Sequence, residues 1–208
     1  MALAKNVHEY IKNQREAVAS NPECGMSHYN LATALLGLRE FNEAERELKE
    51  AVRCSPTLAE AYVQLGGICL QRGDLDGCLA YNKQSVTVRA GFFEGWGNIG
   101  FVQLQKGNID EAIYALEKAV KFNPNFIQAI ATLANAYLMK GDVDQSIEIN
   151  RQALAVDPDF PLAHNNLAIS YLEKGDYESA EKHCSRAMAL GYEVAEEIRA
   201  EIEKEKSR

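Results

Sequence analysis

The chain has 208 residues, 47% of them hydrophobic, with 22 basic and 30 acidic side chains, a formal net charge of −8 and a pI near 5.1. That acidic balance argues against a nucleic-acid partner, because phosphate binding draws on clustered lysine and arginine. No stretch approaches the roughly eighteen apolar residues of a membrane span, and residues 1–10 hold no apolar run of signal-peptide length. The expectation is a cytoplasmic protein without direct membrane insertion, whose five cysteines are reduced thiols.

Taken in chain order, residues 3–19 read as the second helix of a pair whose first helix is missing, since Ala17 and Pro22 stand where Ala119 and Pro124 stand later. Residues 1–24 therefore form a half unit. Five complete units follow, at 25–58, 59–92, 93–126, 127–160 and 161–194, each reading as helix A, a short turn and helix B. Residues 195–208 are charged and helical in composition and suit a cap over the last apolar face.

The stretch 106–125 shows how each unit is punctuated. Gly107 suits the left-handed position that ends a helix, and Asn108 can cap the next one by accepting backbone N–H bonds. Ile109, Ala112, Ile113, Leu116, Ala119 and Val120 then fall on one helical face, and Asn123-Pro124 closes the unit. A single helix cannot bury its own stripe. The same signals recur every 34 residues, in Gly73-Asp74, Gly107-Asn108, Gly141-Asp142 and Gly175-Asp176, and in Pro22, Pro56, Pro124 and Pro158.

Small residues recur in the same register: Ala32, Gly66, Gly100, Ala134 and Ala168 in helix A, then Ala44, Cys78, Ala112, Ser146 and Ala180, and Ala51, Ser85, Ala119, Ala153 and Ala187, in helix B. The period and these positions resemble the tetratricopeptide repeat (TPR) family over about nine tenths of the chain. The resemblance implies an all-α fold, a right-handed α-solenoid of stacked helix pairs. One unit departs from the pattern. Residues 86–91 are rich in β-branched side chains, and the next helix holds Gly95, Gly97 and Gly100, each costing about 1 kcal/mol against alanine. A soft junction is expected near 86–100.

In TPR proteins the inner face is lined by fixed helix A positions, and the resemblance carries ligand binding to the matching residues here. One such position holds Asn30, Gln64, Asn98, Thr132 and Asn166, while Asn82 and Asn150 answer from helix B of the even units, as in a duplicated two-unit ancestor. Amides offer a donor and an acceptor to a peptide backbone, and the file resembles the asparagine ladder of the TPR superhelix in O-linked N-acetylglucosamine transferases. Asn135 and Asn165 add further amides, and Tyr29, Val63, Phe101 and Ile169 add apolar contacts. The expected partner is a protein, engaged through a peptide or helical segment. An alternative is self-assembly, with the N-terminal helix of one copy docked on another; an accessory role in an enzyme complex ranks below both.

Other chemistries find little support in the residues. The matching sites for a carboxylate clamp carry Tyr29, Thr33, Gln64, Glu94 and Asn98, so the required cations are missing. His28 and His164 occupy a packing position, and no CxxC or His-x-x-x-His pair proposes a metal site. No glycine-rich phosphate loop is present. No catalytic residue, metal or cofactor is expected, and the protein reads as a scaffold or adaptor and not as an enzyme.

Overall fold

The computed structural model describes residues 2–206, and every regular element among them is an α-helix. Helix α1 (Ala2–Ser20) precedes five helix pairs: α2 (Gly25–Gly37) with α3 (Phe41–Cys54), α4 (Ala59–Gln71) with α5 (Leu75–Val88), α6 (Phe93–Gln105) with α7 (Ile109–Phe122), α8 (Ile127–Lys140) with α9 (Val143–Val156), and α10 (Pro161–Glu173) with α11 (Tyr177–Ala189). Helix α12 (Glu196–Lys206) ends the series. This is the all-α solenoid of helix pairs that the periodicity predicts. No helix among the described residues is long and apolar enough to cross a membrane.

The turns within pairs follow one rule with one exception. Gly73, Gly107, Gly141 and Gly175 all take positive φ, between 74° and 87°, where a Cβ is disfavoured. The equivalent residue of the first pair is Arg39, at φ 62°. A side chain there costs roughly 1–2 kcal/mol, so the first turn is held against a local preference. Asp74, Asp142 and Asp176 each cap the following helix by accepting a backbone N–H, from Gly77, Gln145 and Ser179. Asn108 does not cap α7 as its position suggested. Its amide donates instead to Gln103 Oε1 at 3.0 Å, because an amide, unlike a carboxylate, can satisfy itself as a donor.

The chain divides into two compact units, Met1–Asn98 and Ile99–Arg208, with the division inside α6. In the first unit, Ile11 of α1 joins Leu31, Ala32, Leu35, Leu48 and Leu65 in one buried cluster. In the second, Ile130, Ala153 and Ala163 are packed by Val120 and Phe160, and Ile202 of α12 is buried with Cys184, Ala187 and Val194. Glu197, Glu201 and Glu203 stay on the exposed side of α12.

The small residues of helix B are buried to 1% exposure or less at both sites in every pair, as close helix crossing requires. Glycines in helix A serve the same end. A Cβ on Gly66 would lie 2.4 Å from Asn82 Nδ2, one on Gly95 2.2 Å from Ser85 Oγ, and one on Gly100 2.4 Å from Leu116 Cγ. Two of the three glycines of α6 are thus dictated by packing, and the helix runs unbroken through them.

Candidate functional site

The side chains that could meet a partner are those that helix A turns away from its own helix B. In the second unit they converge. Phe101, Leu104 and Gln105 of α6, Ala131, Thr132 and Asn135 of α8, and Leu162, Asn165, Asn166 and Ile169 of α10 line one pocket of about 310 Å³ with Tyr192, from the segment after α11. No ionisable acid or base lines it apart from the Tyr192 phenol. Ala131 is fully buried at its base and leaves the room a larger side chain would take.

The polar groups of this pocket divide by what already holds them. Asn166 is buried, and its amide donates to the carbonyl of Ala131 at 3.3 Å, fastening α10 to α8. Thr132 Oγ1 donates back to Gln128 O at 2.7 Å. By contrast, the Asn135 side chain reaches only the Met139 sulfur, at 3.9 Å, and the Asn165 side chain makes no hydrogen bond among the described residues. These two half-buried amides, with the exposed Gln105 amide and the Tyr192 hydroxyl, are the available donors and acceptors. Phe101 is 39% exposed and offers an apolar surface beside them.

Of the residues that the sequence proposes for partner binding, Phe101, Thr132, Asn135, Asn165, Asn166 and Ile169 line this pocket. Tyr29, Asn30, Val63, Gln64 and Asn98 lie in the first unit and are half-buried. Asn98 is engaged internally: its Nδ2 donates to Asn82 Oδ1 at 3.0 Å, while the fully buried Asn82 donates to Cys78 O at 2.8 Å. In the second unit Asn150 bonds to Ser146 O in the same way, yet its buried Oδ1 has no partner. The alternation of asparagines between helix A and helix B thus has, in the first unit, a structural cause in the bond between the half-buried Asn98 and the buried Asn82.

Leu162, Gln105 and Tyr192 escaped the sequence reading. Leu162 and Gln105 occupy inner-face positions that could have been enumerated. Tyr192 stands where Pro56, Pro124 and Pro158 stand in other units, so an aromatic replacing a turn proline was the available signal.

The histidines at the packing position serve the fold. His28 Nε2 bonds to Pro22 O at 2.9 Å and its Nδ1 to Glu47 at 2.7 Å, whereas His164 Nε2 bonds to Pro158 O at 3.1 Å and its Nδ1 meets His183 Nδ1 at 2.9 Å. Tyr62 and Trp96, at the same position, donate to the carbonyls of Pro56 and Ala90. All five cysteines are free, and burial pushes the Cys78 thiol up to about 11 and raises Cys184. Among the described residues no group of three or more His, Cys, Asp or Glu is placed to hold a metal ion.

Models of the tetratricopeptide repeat match residues 14–59, 29–90, 103–165 and 150–182, which together span most of the sequence. The chain belongs to the TPR family. Solved structures similar to it include MamA from Desulfovibrio magneticus RS-1, residues 41 to the end, 24% identical with a TM-score of 0.71, covering 80% of this chain and 94% of that one. YrrB, described as a TPR protein with an unusual peptide-binding site, is 18% identical with a TM-score of 0.75 over 92% of this chain and 97% of its own. PilF from Pseudomonas aeruginosa is 15% identical with a TM-score of 0.78, covering 91% of this chain and 86% of that one. At these identities the likeness is one of fold. No curated protein matches the chain in sequence.

Proposed function

We propose that the protein is a non-enzymatic interaction scaffold that binds an uncharged, partly apolar peptide or helical segment of a partner protein in the pocket of its second unit. The observation that carries this reading is the pairing of two available amides, Asn135 and Asn165, with Phe101, Leu162, Ile169 and Tyr192 in a lining free of acidic and basic side chains. The amides take the partner's backbone N–H and C=O, and the apolar wall takes a side chain. A charged residue entering the same space would lose hydration without gaining a counter-charge. The fold shared with YrrB supports a peptide as the ligand class. In this reading residues 25–58, 59–92, 93–126, 127–160 and 161–194 are the five repeats, 1–24 a half repeat and 195–208 a cap.

Panning a random peptide library on the purified protein tests the proposal. Enriched sequences should be neutral with one large apolar residue, and their binding should fall at least tenfold in Phe101→Ala and in Asn165→Ala. Enrichment of acidic or basic tails, or binding indifferent to both substitutions, would contradict it.

A second reading is self-assembly through α1, favoured by the exposure of Val7 and Tyr10 on a helix whose Ile11 is buried. Removing α1 would also uncover Leu31 and Leu35, so surface substitution is the cleaner test. If α1 docks on a second copy, Tyr10→Ser lowers the mass seen by light scattering over a concentration series; a monomer at every concentration removes this reading.

A further inference from the structure

His164 and His183 face each other across the last helix pair with their Nδ1 atoms 2.9 Å apart. His164 Nε2 bonds to the carbonyl of Pro158, which can only accept, so Nε2 carries the proton and Nδ1 of neutral His164 presents a lone pair. The contact therefore requires His183 to be the Nδ1–H tautomer and to donate. Tyr171 stacks on His183, with ring centroids 5.6 Å apart and planes 12° apart. The tautomer of each ring is fixed by geometry.

The groups around the pair leave an added proton poorly served. Lys182 is on the same helix as His183, and Arg151 of α9 donates to Oη of the stacked Tyr171 at 2.7 Å. Asp159 and Arg186 line the adjoining cleft but are paired with each other. One extra proton on His183 Nε2 would keep the Nδ1 contact but leave a half-buried cation beside Lys182 and Arg151, a charge that is better hydrated once α11 has moved away. Another would have to go to His164 Nδ1, setting two N–H donors against each other at hydrogen-bond distance.

We propose that the His164–His183 contact is an acid-sensitive joint, which on protonation releases α11, with the following Tyr192 and α12, from α10. Burial, the neighbouring His164, and the cations Lys182 and Arg151 push His183 down to about 4. The sign follows: in the unfolded chain a histidine titrates near 6.5, so the stability this group lends is present above that value. It is lost as the pH falls from about 6.5 toward about 4.

The first pair provides the control, because His28 and Glu47 stand at the same two repeat positions as His164 and His183. Substituting His183→Glu recreates that pairing in the last pair. Amide exchange across α11 and α12, corrected for intrinsic rate and referred to α5, should lose about tenfold in protection between pH 7 and pH 5 in the wild type. The loss should vanish or reverse in His183→Glu. An equal loss in both proteins would overturn the proposal. Imidazole nitrogen NMR of the wild type decides it independently: His183 should appear as the Nδ1–H tautomer and titrate well below free histidine, and an Nε2–H tautomer titrating near 6.5 would overturn it.

Discussion

The first and last helix pairs solve the same packing problem with opposite electrostatics. In each, a buried histidine closes the preceding turn through a proline carbonyl and meets a side chain nineteen residues on. In the first pair that side chain is Glu47. Burial opposes charge on His28, but the Glu47 hydrogen bond and the Pro22 carbonyl outweigh it and raise its pKa. In the last pair the partner is His183, which is pushed down to about 4. Repeat geometry decides which residues touch, and their identity decides what the contact does when the pH changes.

The buried asparagines of α5 and α9 make the same point without charge. Asn82 has its oxygen satisfied by Asn98, while the oxygen of Asn150 is left unpaired because Asn166 turns to the carbonyl of Ala131.

The largest expected effect breaks a contact common to the architecture. Gly66→Ala forces a Cβ against the amide of Asn82 and should cost about 1–3 kcal/mol in denaturant unfolding, whereas Gly67→Ala, in open space one residue on, should gain up to about 1 kcal/mol. Next, Asn82→Leu removes a satisfied pair and strands Asn98, a loss of about 1–2 kcal/mol, while Asn150→Leu removes an unsatisfied oxygen and should be within about 0.5 kcal/mol of neutral. Equal costs would erase the distinction drawn between the units.

Glu47→Gln sharpens the histidine comparison. With a raised pKa, His28 lends stability that is full below about 6.5 and is lost as the pH rises through its folded value. The wild-type first unit should therefore gain on mild acidification relative to Glu47→Gln, and coincident pH profiles would contradict the assignment. A smaller contrast concerns capping: Asp142→Ala should cost about 1 kcal/mol and Asn108→Ala almost nothing, since only Asp142 caps its helix. Amides of residues 93–103 should exchange faster than those of 127–140, as three glycines in one helix predict; equal protection would show that packing fully compensates.

Much of this was legible in the sequence, because a period of 34 residues is a constraint on the whole chain and not on any single site. Helix ends at Gly73, Gly107, Gly141 and Gly175 and the small residues at helix crossings follow from it directly. What was not legible depends on side-chain pairing across helices. That Asn98 is held by Asn82, that Asn108 turns back to Gln103, and that Tyr192 reaches the pocket are outcomes of competition between nearby partners, which a repeat register does not encode.

The central claim, that the pocket of the second unit receives a protein segment, is tested most directly by site-specific photocrosslinking. A benzophenone side chain at Gln105, on the pocket wall, should capture an enriched neutral peptide, and one at the exposed Glu148 of α9, outside the pocket lining, should not. Capture from Glu148 with none from Gln105 would show that the partner binds elsewhere and that the pocket is only a by-product of packing.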